Sequence, residues 1–210
     1  MASKDNAEST TELQKEIESL KQEIHELRAT NKRWMRIAGT DLLTKIPNRV
    51  YFTMSLLPTA INHANAESSS VGCIMIAPDN LGDINQNHGR SAGNEIVVGI
   101  SDFLRENIEE DETLVHHDGA NFILLIPSAD LNACKRRSLH IRAKVSNNQF
   151  DCAGTQISIT ISMGAVSRLP SAQKNIKQIV EQFLVKLEAA LDKAKAMGGD
   201  RMYEDPEVVF

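Results

Sequence analysis

The stretch His116-His117-Asp118-Gly119-Ala120-Asn121-Phe122 joins two apolar runs, residues 113–115 before it and residues 122–126 after it. An Asp-Gly pair between two such runs is a strong short-range signal for a β-hairpin. A further strand-like run at 73–76 is followed by residues 77 and 79, and we expect these to approach the hairpin turn. A hairpin tip beside a strand end is a suitable place for a metal and nucleotide site, so the side chains found there decide how the chain is interpreted.

The composition is that of an ordinary globular chain. Its 210 residues carry a formal net charge of −5 and 41% hydrophobic residues, which is enough for one domain with a real core after a helical leader. The mild acidity gives no electrostatic argument for a nucleic-acid partner. No apolar run approaches the length of a membrane span, so we expect no membrane insertion. Cys73, Cys134 and Cys152 are odd in number and widely spaced, as expected of reduced thiols in a cytoplasmic protein.

The first part of the chain predicts a long helix that dimerises. Residues 1–10 are small and polar and are predicted to be a disordered tail, and residues 11–38 are predicted to be a coiled-coil helix. The seam alternates at spacings of four and three: Leu13, Ile17, Leu20, Ile24, Leu27, Asn31 and Trp34. Isoleucine at a positions with leucine at d positions favours a parallel two-stranded coil, and Asn31 falls at an a position, where a buried amide fixes register and strand number.

Charged positions beside the seam favour the same arrangement. Glu16 and Glu23 occupy g positions. Lys21 and Arg28 occupy the e positions that follow, so each Glu would face an opposite charge in a parallel homodimer. Such exposed pairs contribute only about 0.2–1 kcal/mol each. The alternative is a lone amphipathic helix packed on its own domain, but the narrow seam, with no third apolar position per heptad, favours the dimer.

Residues 39–205 are predicted to form one domain in which helices and strands alternate, followed by a C-terminal tail at 206–210. Asn48 is placed to cap a helix, and Pro58 is expected to kink or split it. Strands are predicted at 71–76, in both arms of the hairpin, at 156–166 and at a short edge segment, 201–203; helices are predicted after residue 91, over 130–145 and over 179–194. The pattern favours an α/β or α+β fold with a mixed sheet.

Four stretches, in matching order and spacing, resemble the diguanylate cyclase (GGDEF) domain family. Residues 41–49 resemble its opening motif D-x-L-T-G-L-P-N-R, and residues 79–93 match D-x-F-K-x-I-N-D-x-x-G-H-x-x-G-D in part. Residues 162–164 resemble its S-I-G strand, and residues 190–198 resemble its closing A-L-Y-x-A-K-x-x-G-R-N. The resemblance covers about residues 38 to 203. It implies a mixed sheet of about five strands flanked by helices, similar to the nucleotide-cyclase palm and preceded by a long helix.

The family's signature, G-G-D/E-E-F, aligns with residues 118–122, where only Gly119 and Phe122 match. In the family, two acidic residues hold two divalent ions on the triphosphate, and the aligned positions here are Ala77 and Ala120. Hard cations such as Mg²⁺ need oxygen ligands, which a methyl group does not offer. We therefore expect no metal, no cofactor and no catalytic residue in this chain.

Other functional positions of the family are also changed. Asn121 stands in place of the fourth-position carboxylate, and Gly82 and Gly199 stand where the resemblance implies phosphate-contacting Lys and Arg. The product-inhibition motif, R-x-x-D, aligns with Glu109 and Glu112. Replacing Arg by Glu exchanges a phosphate clamp for repulsion, so we do not expect cyclic di-GMP to bind at that face.

Some nucleotide-contact positions of the family are retained. Asn85 matches the guanine-reading Asn and Lys195 matches a phosphate Lys, so both are weak, vestigial nucleotide-binding candidates. The guanine-reading Asp is replaced by Asn94, which puts a donor where one acceptor was. The resemblance thus leaves an incomplete nucleotide site.

His116 and His117 invite a separate metal-binding interpretation. Adjacent strand residues point to opposite faces, so the two rings cannot easily share a metal ion. We therefore interpret them as polar residues at a hairpin end.

These observations predict a catalytically inactive GGDEF-like domain that dimerises through its leader and acts by protein–protein interaction in bacterial signalling, with an unidentified protein partner. An alternative is a nucleotide receptor that binds GTP or cyclic di-GMP without turning it over, which Asn85 and Lys195 favour. A third hypothesis is an enzyme, either with altered chemistry or as an active diguanylate cyclase.

Overall fold

The structure is a computed structural model that describes residues 2–170 and 175–205. The chain divides into two compact units, Met1–Gly39 and Thr40–Phe210. The predicted C-terminal tail, 206–210, lies outside the described residues. Within the described part of the chain, no helix is both long and apolar enough to cross a membrane.

The first unit consists of one helix, α1 (Ala2–Ala38). It begins earlier than predicted: residues 2–10 are helical rather than disordered, because no glycine or proline interrupts the helix that the heptads propagate. The apolar side chains of the predicted seam are exposed, from 47% for Ile24 to 64% for Trp34, and Asn31 is exposed as well. A single chain therefore leaves this apolar seam in contact with solvent.

The second unit is built on a five-stranded sheet in the order β2-β3-β1-β6-β7, beside a two-stranded sheet of β4 and β5. The strands are β1 (Val71–Pro78), β2 (Thr113–Asp118), β3 (Asn121–Pro127), β4 (Gln149–Cys152), β5 (Thr155–Ser158), β6 (Ile161–Arg168) and β7 (Met202–Glu204). The central strand β1 pairs antiparallel with β3 and β6, whereas the edge strand β7 runs parallel to β6. The predicted mixed sheet, Asp-Gly hairpin and edge strand are confirmed.

Helices cover both faces of the larger sheet. One apolar cluster joins the sheet to α4 (Leu81–Glu106) and α5 (Leu131–Ser146). The other joins it to α3 (Leu57–Glu67) and α6 (Ile176–Ala196). Every residue of β1 is buried, as expected of a continuous apolar run with a helix layer on either side.

The helical segment before β1 follows its sequence signals. The Asn48 side chain accepts a 3.1 Å hydrogen bond from the Tyr51 backbone N–H and caps α2 (Arg49–Tyr51). A π-helical segment, Phe52–Leu56, follows, and Pro58 then lies in the first turn of α3. Proline's missing N–H is tolerated in a first turn, so the helix changes its winding here instead of breaking.

The prediction of one strand over 156–166 is wrong. The chain leaves the small sheet after β5 and enters the large sheet at β6, with a break at 159–160. The Thr160 carbonyl instead accepts a 2.9 Å hydrogen bond from the backbone N–H of Asp79. Because Ile157 and Ile161 pack in the same apolar cluster, the alternation of apolar and polar residues continues across the break and does not reveal it.

Candidate nucleotide-binding cleft

A cleft of about 640 Å³ lies where β1 ends beside the β2–β3 turn. In the sheet register Ile76 pairs with Phe122, so the residues after Ile76 and those before Phe122 meet at one edge. This register confirms the predicted approach of the hairpin turn to the strand end. Two further segments complete the cleft, the first turn of α4 with Gly82 and the segment around Lys195 and Gly199 at the end of α6.

Alanines occupy the two positions to which the resemblance assigns metal-binding carboxylates. Ala77 is 1% exposed and belongs to the apolar cluster that the sheet forms with α3 and α6. Ala120 is half-buried at the hairpin turn and lines the cleft. Neither side chain offers an oxygen ligand to a divalent cation. Within residues 2–170 and 175–205, no three His, Cys, Asp or Glu side chains form a group that could hold a metal ion.

Asp79 is the carboxylate that remains at the end of β1, and its oxygens accept hydrogen bonds from three donors. The Ser162 hydroxyl donates to Oδ1 at 2.7 Å, and the Thr160 hydroxyl donates to Oδ2 at 2.8 Å. The backbone N–H of Asp200 donates to Oδ2 at 2.9 Å. The carboxylate therefore ties the end of β1 to β6 and to the segment after α6. In the sequence Asp79 stood out only as a motif match, and the available signal was the pair of hydroxyl residues Thr160 and Ser162, two positions apart at the start of β6.

Asn121, in place of the family's fourth-position carboxylate, points along the turn. Its Nδ2 donates a 2.7 Å hydrogen bond to Asp118 Oδ1. Asp118 Oδ2 in turn lies 3.7 Å from Arg49 Nη1. The polar groups of the turn are thus paired with each other and with α2.

Lys195 lies at the cleft, as the resemblance implies for a phosphate-contacting residue. Its side chain is exposed, and the first turn of α4, with Leu81 and Gly82, borders the same space. A helix N-terminus and an ammonium group both favour a bound anion. The cleft therefore retains one feature that suits a phosphate group.

The base-reading positions lie elsewhere on α4, which kinks at Gly89. Asn85 is half-buried, and its side chain lies against Gly93 so closely that a Cβ at Gly93 would collide with it. Asn94 is exposed and lines a separate hollow that includes Leu43 and Val98. Of the two nucleotide-binding candidates, only Lys195 lines the cleft.

At the face aligned with the product-inhibition motif, Glu112 forms an ion pair with Arg137 of the same chain. Arg137 Nε and Nη2 donate to the two carboxylate oxygens of Glu112, each at 2.6 Å, and Nη2 also donates to the Asn107 carbonyl at 2.7 Å. The Glu112 side chain is 3% exposed. The hydrogen bonds to Glu112 raise the pKa of the Arg137 guanidinium. This bidentate geometry leaves Glu112 occupied within the chain.

The two histidines before the turn contact different partners, as opposite faces of a strand require. His116 Nδ1 lies 2.9 Å from Asp41 Oδ1, and its Nε2 lies 3.0 Å from the Gly119 carbonyl oxygen. His117 Nε2 lies 3.2 Å from Glu188 Oε1 on α6. The sequence interpretation as polar residues at a hairpin end did not anticipate that both histidines are buried.

A mixed five-stranded sheet, with a hairpin turn and a helix N-terminus around one cleft, defines a GGDEF-type, cyclase-like domain. The family model described as diguanylate cyclase, GGDEF domain, matches residues 38–201, and the chain belongs to this family. Diguanylate cyclase DosC from Escherichia coli is 28% identical over 165 residues, which are 78% of this chain and 34% of that protein. Response regulator PleD from Caulobacter vibrioides is 26% identical over 166 residues, 78% of this chain and 35% of that protein. The chain thus spans about a third of the length of these relatives.

Solved structures share the fold at lower identity. The coiled coil and GGDEF domain of DgcB from Caulobacter crescentus, in complex with c-di-GMP, has a TM-score of 0.72 at 21% identity and covers 92% of this chain and 99% of that one. The FimX GGDEF domain from Pseudomonas aeruginosa has a TM-score of 0.70 at 18% identity, covering 80% and 99%. Diguanylate cyclase SiaD with its activator SiaC, also from P. aeruginosa, has a TM-score of 0.72 at 20% identity, covering 97% and 75%.

Proposed function

We propose that this chain is a catalytically inactive GGDEF domain that acts as a dimeric protein–protein interaction or regulatory module in bacterial cyclic di-GMP signalling. The observation that carries the proposal is the pair Ala77 and Ala120, at the positions where the resemblance implies metal-binding carboxylates. Two divalent ions beside the phosphate charges are what make this phosphoryl transfer feasible. Methyl groups at both positions leave the domain without the ligands to hold them.

The remaining groups around the cleft support this proposal. Asp79 accepts hydrogen bonds from β6 and from the segment after α6, so its carboxylate already has internal partners. Gly82 and Gly199 present no side-chain cation to a triphosphate. Gly199 also has φ +70°, and a Cβ there would lie 3.1 Å from Asp79 Oδ1, so a larger residue would be strained.

The assembly rests on the seam of α1. Its a and d side chains are apolar apart from Asn31 and are exposed in a single chain, which favours a parallel homodimer that buries them. The complex of SiaD with its activator SiaC is an example of a related fold bound to a protein. By analogy with that complex, we propose that this domain binds a protein partner and acts as a docking surface without catalysing a reaction.

A second candidate is a nucleotide receptor without turnover. It is favoured by Lys195 at the cleft beside the first turn of α4, which together suit an anion. Asn94 and the side chain of Asn85 argue against guanine selection at this cleft, because neither residue lines it.

The decisive assay is incubation of the purified protein with GTP and either Mg²⁺ or Mn²⁺, with DosC as the positive control. We expect no cyclic di-GMP. Product that scales with protein concentration and persists after repurification would overturn the proposal.

Calorimetric titration with GTP and with cyclic di-GMP, each with and without Mg²⁺, separates the two candidates. The interaction module predicts no binding heat. Binding that Lys195→Ala abolishes, and that the exposed control Lys177→Ala leaves intact, would instead establish the receptor.

A further inference from the structure

The His116 ring is held between two hydrogen-bond acceptors. Nδ1 lies 2.9 Å from Asp41 Oδ1, and Nε2 lies 3.0 Å from the carbonyl oxygen of Gly119. The side chain is 8% exposed, and its ring stacks on Phe122 with centroids 5.3 Å apart. Burial and stacking therefore fix the ring between the two acceptors.

Neither neighbour of the ring can donate a proton. A backbone carbonyl only accepts, and an ionised carboxylate only accepts. Asp41 is ionised at neutral pH: partial burial alone would raise its pKa, but hydrogen bonds from Thr44 and His116 outweigh burial and lower the pKa to about 2. Both contacts are hydrogen bonds only when both ring nitrogens carry a proton, which is the imidazolium form of the ring.

The two contacts join segments far apart in the chain. The first is the opening turn, residues 41–48, in which Asp41 Oδ1 also accepts 2.8 Å hydrogen bonds from the Thr44 backbone N–H and hydroxyl. The backbone N–H of His116 donates to the Pro47 carbonyl of this turn at 2.8 Å. The second segment is the hairpin turn at Gly119, which borders the cleft through the next residue.

The other charged groups of this region pair among themselves. Arg49 on α2 lies 3.7 Å from Asp118 and 3.8 Å from Glu188 of α6. His117 lies 3.2 Å from Glu188 and 4.0 Å from Asp118. Among the ion pairs of the described residues, the one that involves the His116 ring is therefore its pair with Asp41.

We propose that protonated His116 is a pH-sensitive latch that joins the opening turn to the hairpin turn and releases the hairpin turn when the ring loses one proton. The neutral ring keeps its proton on Nδ1, since the ionised Asp41 is the stronger acceptor, and Nε2 then turns a lone pair toward the Gly119 carbonyl. The latch is closed at low pH and opens as pH rises. It does not depend on whether the domain binds a protein or a nucleotide.

The test is an NMR titration of the full ¹⁵N-labelled chain from pH 5 to pH 9. The imidazole signals identify which nitrogen is protonated, and His116→Gln assigns the His116 signal by its loss. The exposed rings of His88 and His140 serve as internal references. We expect Nε2 of His116 to lose its proton first. Over the same pH range, the exchange protection of the amide of Asn121, the residue that pairs with Asp118 across the turn, should fall about tenfold, the effect of one lost hydrogen bond to a charged group.

Two variants separate the charge from the packing. His116→Arg carries a permanent cation, so hairpin protection should be independent of pH after correction for intrinsic exchange. His140→Gln, on the exposed side of α5, should titrate like the wild type. The proposal is overturned if wild-type hairpin protection is the same at pH 6 and pH 9, or if Nδ1 loses its proton first. The wild-type titration decides this alone if His116→Arg does not fold.

Discussion

The Ser162 hydroxyl donates a 2.7 Å hydrogen bond to Asp79 Oδ1, across the antiparallel pair that β1 forms with β6. The neighbouring Oδ2 accepts from Thr160 and from the backbone of Asp200. A carboxylate at the mouth of the cleft is thus used to close the sheet against the segment after α6. This arrangement explains why the surviving acidic residue at the strand end is a structural group in this domain.

Asp79→Ala should lower the free energy of unfolding by about 1–3 kcal/mol, because the buried Ser162 hydroxyl, the half-buried Thr160 hydroxyl and a backbone N–H all lose their acceptor. Urea denaturation of the full chain measures the change. Asp192→Ala, at an exposed position of α6, is the matched control and should stay within about 0.5 kcal/mol of the wild type. Equal losses for both variants would mean that the hydrogen bonds to Asp79 contribute nothing specific.

Restoring the missing acidic residues should not restore cyclase activity. The triple variant Ala77→Asp, Ala120→Asp and Asn121→Glu still lacks the phosphate contacts at Gly82 and Gly199. It also places a carboxylate at Ala77, which is 1% exposed within an apolar cluster, so the variant should be less stable. The readout is cyclic di-GMP formed from GTP and Mg²⁺. Turnover by this variant would show that the three carboxylates suffice without side-chain cations at Gly82 and Gly199.

Removing the cation from the buried Glu112–Arg137 pair should be costly. Arg137→Met leaves Glu112, with 3% side-chain exposure, as an uncompensated buried charge, and we expect a loss of about 3–5 kcal/mol. The double variant Arg137→Met with Glu112→Gln should recover most of this loss. Arg136→Met, at the exposed neighbouring position, is the control. Thermal and urea unfolding measure the stability of each variant. If Arg137→Met is as stable as the double variant, the Glu112–Arg137 pair does not have the proposed role.

Asp41 should contribute acid-sensitive stability. Its pKa is lowered from 3.8 to about 2 in the folded domain, so the contribution is complete above pH 3.8 and is lost as pH falls through 2. After allowance for partial exposure, we expect about 1–2 kcal/mol. Asp41→Asn should therefore be less stable than the wild type at pH 6, with the difference shrinking toward pH 2. Asp111→Asn, which is exposed, should show no such pH dependence.

The leader should hold the chain as a parallel homodimer at micromolar concentration. Leu20→Asp with Leu27→Asp places charges in the seam of both strands, so this variant should be monomeric while residues 40–205 stay folded. Asn31→Leu should raise coil stability but loosen strand number or register. Light scattering measures the mass, and circular dichroism of the same samples checks folding. A monomeric wild type, or an unchanged oligomer after deletion of residues 1–35, would refute the coiled coil.

Local pattern was sufficient for much of this fold. The Asp-Gly pair marked the hairpin, the continuous apolar run marked the buried strand β1, and Asn48 marked a helix start. Each of these signals depends on neighbouring residues and on the fixed periodicity of strands and helices. The alanines at 77 and 120 were likewise visible in the sequence alone, because an absent carboxylate needs no geometry to be recognised.

The tertiary structure decided which distant polar groups meet. Asp79 and Ser162 are 83 positions apart, and Glu112 and Arg137 are 25 apart. Sheet register, helix orientation and burial set these pairings, and none of them leaves a periodic trace in the sequence. The sequence pattern did not reveal the break between β5 and β6 for the same reason, since the Thr160 carbonyl at the break pairs with the backbone N–H of Asp79, the residue that follows β1. His116 likewise became a bridge between two acceptors only because folding brought Asp41 to one side of its ring and Gly119 to the other.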